Sequence, residues 1–242
     1  MNLMKHLSES IEEYLETIYR LIESGRTAST TEISRTMNIA PASVTQMLKK
    51  LDSEGYVKYS PYRGAVLTER GYRVARRMTR KHRILERFLH DILGIKREKI
   101  HRQACEMEHS LSDDAERALC HLLNVPGECP DKNPIPACDF KFSTCEECLE
   151  MKDADIEEIG CRDEKLRSLR EMDEEETGRV SFIRGDYRVV RRLMDMGITI
   201  GVPLKVIKKA PLNGPVEVEV RSSRVALGRD IADNVFIDTE EE

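Results

Sequence analysis

Four side chains of the types that bind metal ions recur within one short stretch of the chain. Cys105, Glu108 and His109 follow His101 by four, seven and eight positions. On a helix with about 100° between successive residues, all four lie within an arc of roughly 100° and share one face. Imidazole, thiolate and carboxylate donors together suit a borderline transition ion such as Fe(II), Mn(II), Co(II), Ni(II) or Zn(II). The spacing therefore predicts a transition-metal site and disfavours calcium and magnesium.

Two further pairs of metal-binding residue types stand on other segments with helical periodicity. His82 and Glu86 are four positions apart, and Glu13 and Glu16 are three positions apart near the N-terminus. Either pair alone is more often a surface charge cluster or an intrahelical hydrogen bond. Their coincidence on three segments favours a shared ion, whose binding would join the first helix to the later ones and act as a switch.

The cysteines form a separate pattern. Seven cysteines, an odd number, without a recognisable secretion signal indicate thiols and metal ligands before a disulfide framework. Four lie in a proline-rich stretch that lacks helical periodicity: Cys129, Cys138, Cys145 and Cys148. This stretch could hold structural zinc or an iron–sulfur cluster, or its thiols could remain without a metal. No role is assigned to Cys120 or Cys161.

Composition and charge restrict the class of protein. The 242 residues have room for two or three small domains, and no apolar run approaches the roughly 20 residues that span a bilayer. The opening segment has acids within its apolar rhythm and no cleavage site, which predicts an amphipathic helix of a cytoplasmic protein. The net charge is −5, yet residues 41–83 contain far more bases than acids. Such a local cationic region is typical of nucleic-acid binding.

The N-terminal third has the pattern of a winged helix-turn-helix, which we assign to residues 1–73. A first helix ends near Gly25, a second follows Thr30 as a possible cap, and a third begins at Pro41 and ends at Gly55. YVKY and AVLT then flank SPYRG and predict a β-hairpin. We expect the following residues to contact DNA bases or phosphates: Thr31, Ser43, Thr45, Gln46, Lys49, Lys50 and Arg63. For any single residue, the alternative is an ordinary solvated surface.

The remainder predicts a mainly α protein with a small β portion. A long basic helix after Thr68 and one amphipathic helix from Arg97 to Leu123 form a metal-binding and dimerisation domain, 74–150, that includes the Cys-rich loop. An acidic linker is expected over 151–177. Residues 178–239 have short β-like segments around one helix, which predicts a small barrel.

At this point the chain resembles the diphtheria toxin repressor family of iron- and manganese-dependent regulators. The likeness is carried by YLETIYRLIE, PASVTQMLKKLDSEGYV, YRG with LTERG, KHRILERFL, ACEMEHSLSDDAE and CPDKNPIP. RRLMDMGI and APLNGPVEVEV are similar to the SH3-like module of ferrous-iron-transport A proteins. The resemblance thus implies a DNA-binding domain, a helical dimerisation domain and a C-terminal SH3-like β-barrel.

The resemblance also implies particular ligand sets, each carried over to this numbering. The activating site falls on Glu13, Cys105, Glu108 and His109, where the cysteine is typical of the iron-responsive branch and the carboxylate at 13 of the manganese branch. The ancillary site falls on His82, Glu86 and His101, with Asp186 of the SH3-like module nearby. Val189 occupies a neighbouring ligand position and cannot bind metal. Glu16 matches an acidic ligand of the manganese regulators and could bridge two ions.

These patterns predict a homodimeric repressor that binds palindromic operator DNA when Fe(II) or Mn(II) is bound, with no membrane and no small-molecule substrate as partner. An enzyme is disfavoured because the chain has no Walker phosphate loop, nucleophile elbow or HExxH signature. One alternative is a redox or iron–sulfur sensor that uses the Cys129–Cys148 cluster. Another is a binding partner of a transporter, acting through the SH3-like module.

Overall fold

The computed structural model describes residues 7–142, 145–151, 166–184, 187–211 and 214–239, with the side chains of 187 and 188 left aside. Within these ranges, no helix is long and apolar enough to cross a membrane. The chain forms an N-terminal helical unit with a hairpin, a central helical unit and a C-terminal sheet module. The predicted fold class is therefore confirmed.

The N-terminal unit has the predicted order of helices and strands. It consists of α1 (Glu9–Glu23), α2 (Thr30–Met37), α3 (Pro41–Ser53), β1 (Val57–Ser60) and β2 (Gly64–Leu67). Fully buried Leu15, Ile33 and Leu48, one from each helix, pack in one apolar core. The cap of α2 is Ser29 rather than Thr30, because the Ser29 hydroxyl accepts a hydrogen bond of 3.1 Å from the Glu32 amide. The two strands pair antiparallel, from Val57 opposite Leu67 to Ser60 opposite Gly64.

The central unit is built on α4 (Glu69–Asp91), which crosses the predicted domain boundary at 73 without a break. It packs against α1, α5 (Arg97–Glu108) and α6 (Asp113–Leu122). The prediction of one helix from Arg97 to Leu123 is wrong. The Ser112 hydroxyl accepts a hydrogen bond from the Ala115 amide and begins a new helix, because a serine cap followed by acidic residues is a helix start.

The cationic run is less available to DNA than its sequence indicates. Arg76, Arg80 and Arg83 are buried in α4 and bond to groups of the protein itself, including the carbonyl oxygens of residues 137, 136 and 134. They brace the loop that follows α6. The exposed bases of this region are Lys49 and Lys50 on α3, Lys58 and Arg63 in the hairpin, and Arg70 in the first turn of α4.

The C-terminal module is a six-stranded antiparallel sheet in the order β3-β8-β4-β5-β6-β7. Its elements are β3 (Leu166–Ser168), β4 (Thr177–Ile183), α8 (Tyr187–Asp195), β5 (Pro203–Lys209), β6 (Val216–Val220), β7 (Ser223–Leu227), α9 (Arg229–Ala232) and β8 (Val235–Asp238). The predicted linker over 151–177 extends too far. Leu169 and Met172 are fully buried in the core of the module. The last residues of the predicted linker therefore belong to the sheet module. A short helix, α7 (Cys145–Glu150), precedes it.

The module contacts α4 of the central unit through a buried polar group. Tyr72 of α4 donates a hydrogen bond of 2.6 Å from its hydroxyl to Asp233, and Arg170 pairs with the same carboxylate at 2.7 Å. The guanidinium of Arg76 lies over the ring of Phe236, 5.0 Å from its centroid. The sheet module is thereby fixed to the helix that also carries the predicted metal donors.

Candidate metal centre and DNA-reading face

His82 lies at the centre of the predicted donors, where α4 faces α5. Its Nδ1 is 2.6 Å from Glu108 Oε2, and its Nε2 is 3.0 Å from both Glu86 Oε1 and His101 Nδ1. His101 Nδ1 is in turn 3.2 Å from Glu86 Oε1. Because His82 and Glu86 are one turn apart on α4 and His101 lies on α5, the packing of these two helices assembles the group.

Cys105 adds sulfur to this group. Its Sγ is 3.8 Å from His82 Nδ1 and 4.0 Å from His101 Nε2, and ligand atoms of the three residues lie within 4.8 Å of one another. Burial raises the pKa of the Cys105 thiol, but hydrogen bonds with His101 and His82 outweigh it and lower the pKa to about 7. The thiolate, which is the form that binds metals, is therefore accessible near neutral pH.

The two imidazoles have raised basicity in this setting. Burial lowers the pKa of His82, but its hydrogen bonds with Cys105, Glu108 and Glu86 outweigh this and raise the pKa to about 11. Hydrogen bonds with Cys105 and, to a smaller extent, with Glu86 raise the pKa of His101 to about 9. Both shifts come from the carboxylates and the thiol that surround the two imidazoles. The group therefore has a charge pattern in which a divalent ion can replace protons.

Helix α1 approaches the same centre with acidic side chains. Glu16 is buried, pairs with Arg20 at 2.8 Å, and forms with His82 and Glu108 a second group of donors within 4.8 Å. Glu12 accepts a hydrogen bond of 2.8 Å from His109 Nδ1. Sequence reasoning missed Glu12, although Glu12 and Glu16 are one turn apart and share a face of α1.

Glu13 has a different position from the one its assignment implies. Its side chain is exposed and belongs to neither donor group. Burial lowers the pKa of His109, but contacts with Glu12 and Glu108 outweigh it and raise the pKa. The charge of Glu13 makes a smaller contribution in the same direction. Glu13 thus lies on the outer side of the centre. Asp186 lies outside the described residues.

The donors fit a divalent ion. His109 Nε2 is buried, has no hydrogen-bond partner among the described residues, and lies 3.6 Å from Glu108 Oε1. A buried imidazole nitrogen without a partner is costly, and a cation beside the Glu108 carboxylate would satisfy it. An ion held here would contact α5 and, through Glu12 or Glu16, α1.

The N-terminal unit also presents a polar, basic surface. Ser43, Gln46, Lys49 and Lys50 of α3 are exposed, and Thr31 of α2 is exposed as well. Thr45 bonds from its hydroxyl to the Pro41 carbonyl oxygen at 3.0 Å, which reduces its availability to a base. At the tip of the hairpin, Arg63 is exposed and Tyr62 is 99% exposed. Sequence reasoning did not single out Tyr62, although its place within SPYRG was a signal.

Comparison with known proteins places this geometry in a family. The model of the iron-dependent repressor N-terminal DNA-binding domain matches residues 6–65, and that of the iron-dependent repressor metal-binding and dimerisation domain matches 68–137. A FeoA domain model matches 167–239. The diphtheria toxin repressor of Corynebacterium glutamicum is 30% identical over 235 residues, 97% of this chain and 98% of that protein. The chain belongs to the iron-dependent repressor family.

Other relatives agree with this membership. An uncharacterized helix-turn-helix transcriptional regulator of Methanocaldococcus jannaschii is 45% identical over 109 residues, 45% of this chain and 87% of that protein. The iron-dependent repressor IdeR of Mycobacterium tuberculosis is 38% identical over 133 residues, 55% of this chain and 58% of that protein. A solved manganese-dependent transcriptional repressor in complex with manganese shares the fold, with a TM-score of 0.50 at 24% identity over 95% of this chain and all of that chain.

Family membership confirms the predicted class. As an iron-dependent repressor, the chain is a metal-dependent, DNA-binding transcriptional regulator with a dimerisation domain, and not an enzyme. The expected SH3-like module corresponds to the FeoA domain.

The Cys-rich stretch of this iron-dependent repressor does not gather around one point. Cys138 and Cys148 share a small core with Phe140 and Phe142; His121 Nε2 lies 3.2 Å from Cys148 Sγ. Among the described residues, none of Cys129, Cys138, Cys145 and Cys148 belongs to a group of three donors within 4.8 Å. Cys161 lies outside those residues.

Proposed function

We propose that a divalent transition ion bound at Cys105, Glu108 and His109, together with acidic side chains of α1, switches this repressor into its operator-binding form. One observation carries the proposal: donors of α1 and α5 meet around His109, whose buried Nε2 lacks a hydrogen-bond partner among the described residues. Since α1 packs beneath the DNA-reading helices and α5 belongs to the dimerisation domain, an ion here fixes the angle between the two.

His82, Glu86 and His101 are proposed as the ligands of a second, ancillary ion. Their ring and carboxylate atoms lie 3.0–3.2 Å apart, which is the spacing of groups that converge on one point. Glu16 and Glu108 both lie close to His82, so either could bridge the two positions. A bound ion supplies a fixed positive charge that replaces the imidazole protons between these carboxylates.

Fe(II) or Mn(II) is the proposed activating ion. The relatives are named for iron, and one solved structure for manganese. The thiolate of Cys105 favours Fe(II), whereas the oxygen donors Glu12, Glu16 and Glu108 also suit Mn(II). Affinity alone does not identify the ion, because the general order favours copper and zinc at any such site.

Operator recognition is proposed to use paired α3 helices of a homodimer on a palindromic site. Ser43 and Gln46 are placed on the exposed face to reach base edges, with Lys49 and Lys50 contacting phosphates. Thr31 and Arg63 flank this face. Two half-sites about one helical turn apart would match the two-fold axis of the dimer.

The alternatives have weaker support. A sensor based on the Cys129–Cys148 stretch requires donors that converge, and these four cysteines do not form one group in the described part of the chain. A transporter-binding role requires an available module, whereas this module is engaged with α4 through Tyr72 and Asp233.

The test is a DNA-binding titration of chelator-stripped protein with each of Fe(II), Mn(II), Co(II) and Zn(II). The probe is duplex DNA selected from a random pool in the presence of Mn(II). We expect Fe(II) or Mn(II) to lower the Kd for this duplex, and Cys105→Ala and Glu108→Gln to abolish that response. His90→Gln is the matched control, since His90 is exposed at the end of α4 and pairs with Asp91. Binding that persists unchanged in excess chelator, or a full response in both variants, would refute the switch.

A further inference from the structure

His82 and His101 lie between two groups of donors and present a different nitrogen to each group. Toward Glu86, His82 Nε2 and His101 Nδ1 are 3.0 Å apart, and Glu86 Oε1 is 3.0 Å from the first nitrogen and 3.2 Å from the second. Toward Cys105, the sulfur is 3.8 Å from His82 Nδ1 and 4.0 Å from His101 Nε2. Because each imidazole has two distinct nitrogens, the histidine pair has a sulfur donor on one side and a carboxylate on the other.

The separations on the Cys105 side suit donors around one ion. Zinc in tetrahedral sites binds imidazole nitrogen at about 2.0–2.1 Å and thiolate sulfur at about 2.3 Å, which places a nitrogen and a sulfur of one ion roughly 3.6 Å apart. The sulfur–nitrogen distances of 3.8 and 4.0 Å are only slightly longer. Ligand atoms of His82, His101 and Cys105 all lie within 4.8 Å of one another. Small side-chain rotations therefore bring the three donors onto a shared ion.

Cys105 is the middle member of a row of donors along α5 and its C-cap. His101, Cys105 and His109 follow one another at four-residue intervals, about one helical turn and a rise of about 6 Å each. At one end of the row, His101 lies against His82 of α4, with ring centroids 4.7 Å apart. At the other end, His109 bonds to Glu12 of α1. One sulfur therefore lies between the two positions at which an ion is proposed.

We propose that the Cys105 thiolate bridges two divalent ions, one held by His82 and His101 and the other by Glu108 and His109. The inference rests on the proposed function, which places two ions here and gives the sulfur to the activating ion alone. A thiolate sulfur has lone pairs for two metal bonds, and the ions of two-metal sites lie about 3.5–4 Å apart. The shared sulfur couples the two positions, so that occupancy of one affects binding at the other.

The bridge refines the ancillary site. Its ion lies on the sulfur side of the two rings, while Glu86 on the far side bonds to their other nitrogens. A carboxylate behind a metal-bound histidine fixes the orientation of the ring and raises its basicity. Thiolate and imidazole donors favour Zn(II) and Fe(II) over Mn(II), which prefers oxygen donors. The ancillary position therefore selects against Mn(II).

The experiment titrates reduced, chelator-stripped full-length protein with Co(II) in the absence of DNA. Thiolate bound to Co(II) gives an intense near-ultraviolet charge-transfer band, whose intensity follows the number of cobalt–sulfur bonds. We expect the band to grow with the first and again with the second equivalent, because the same sulfur binds both ions. His101→Gln changes a side chain that is 59% exposed. It should end the growth after the first equivalent and leave about half the band, and Cys105→Ser should lose the band.

The outcomes separate the bridge from the activating site. His90→Gln is the matched control, since His90 is exposed and pairs with Asp91, and its band should equal that of the unsubstituted protein. A full band in His101→Gln, with none in Cys105→Ser, overturns the bridge and leaves the activating site standing. A band that disappears in His101→Gln and is unchanged in His109→Gln gives the sulfur to the histidine pair alone, which overturns both proposals. A full band in Cys105→Ser also overturns both.

The magnetic moment of the unsubstituted protein gives a second test that needs no variant. Two Co(II) ions joined by one sulfur couple antiferromagnetically, whereas ions on separate ligands do not. We expect the moment per cobalt to be lower after the second equivalent than after the first. An equal moment per cobalt at both loadings overturns the bridge.

Discussion

Replacing Glu116 by glutamine should destabilise the protein strongly, because this carboxylate balances buried positive charge. Arg80 Nε lies 2.6 Å from Glu116 Oε1, and the side chains are 5% and 1% exposed. Arg80 also donates to the Pro136 carbonyl oxygen at 2.6 Å. Burial and then the charge of Arg80 lower the pKa of the nearby Arg184 to about 9. The region therefore has a surplus of buried cations that Glu116 reduces.

The expected size follows from this burial. Removing one partner of a buried ion pair costs about 3–5 kcal/mol, since the other charge is left without compensation. Glutamine keeps an oxygen that can accept from Arg80, so we expect the lower value, about 3 kcal/mol. For a chain of this length, that corresponds to a fall in melting temperature of about 6–12 °C.

Thermal unfolding followed by far-ultraviolet circular dichroism measures the change. Glu106→Gln is the matched control, because Glu106 on α5 is 69% exposed and lies 3.9 Å from Arg102; its loss should cost less than about 0.5 kcal/mol. Arg80→Met combined with Glu116→Gln should cost less than the sum of the two single changes. Equal melting temperatures for Glu116→Gln and Glu106→Gln would refute the reasoning.

Three further outcomes are expected. Gly71→Ala should lower the free energy of unfolding by at least about 3 kcal/mol, because the new Cβ would lie 1.9 Å from the Tyr56 carbonyl oxygen. In the control Gly127→Ala, the Cβ meets nothing within 4 Å and stability should change little. Similar melting temperatures for the two variants would contradict this. Asp113→Asn should remove a part of the stability that depends on acid pH. Burial raises the pKa of Asp113, but its two basic partners outweigh burial and lower the pKa. The stabilisation by the ionised carboxylate is therefore present above about pH 4 and is lost as the pH falls further. Urea midpoints at neutral and acidic pH test it, and an unchanged acid dependence in the variant would count against it. Lys49→Gln should reduce the slope of log K against log salt for operator binding by about one, if Lys49 contacts a phosphate; an unchanged slope would exclude that contact.

The helical spacing of the metal donors was predictable, whereas their partners were not. One face of α5 carries His101, Cys105 and Glu108 as the sequence indicates, because helical periodicity is local. The contact of His109 with Glu12 rather than Glu13 depends on the rotation of α1 against α5, which the packing of both helices sets. Local spacing contains no information about that angle.

The burial of the basic residues on α4 shows the same limit. Their sequence is typical of a DNA-binding surface, yet Arg76, Arg80 and Arg83 bond to the loop after α6 and to acids of neighbouring helices. Whether a guanidinium faces phosphate or a carbonyl oxygen is decided by which chain segment crosses it. That crossing is a long-range property of the fold.

By itself, the sequence determined the order of helices and strands in the N-terminal unit, the three-part organisation, the family and the types of donor that hold an ion, since periodicity, caps and residue chemistry act over a few neighbouring positions. The tertiary structure alone decided which carboxylate of α1 meets His109, that Cys105 lies beside His82 and His101, and that several cations of α4 are internal. The physical reason is that these contacts join residues distant in the chain, whose separation is fixed by how whole elements pack.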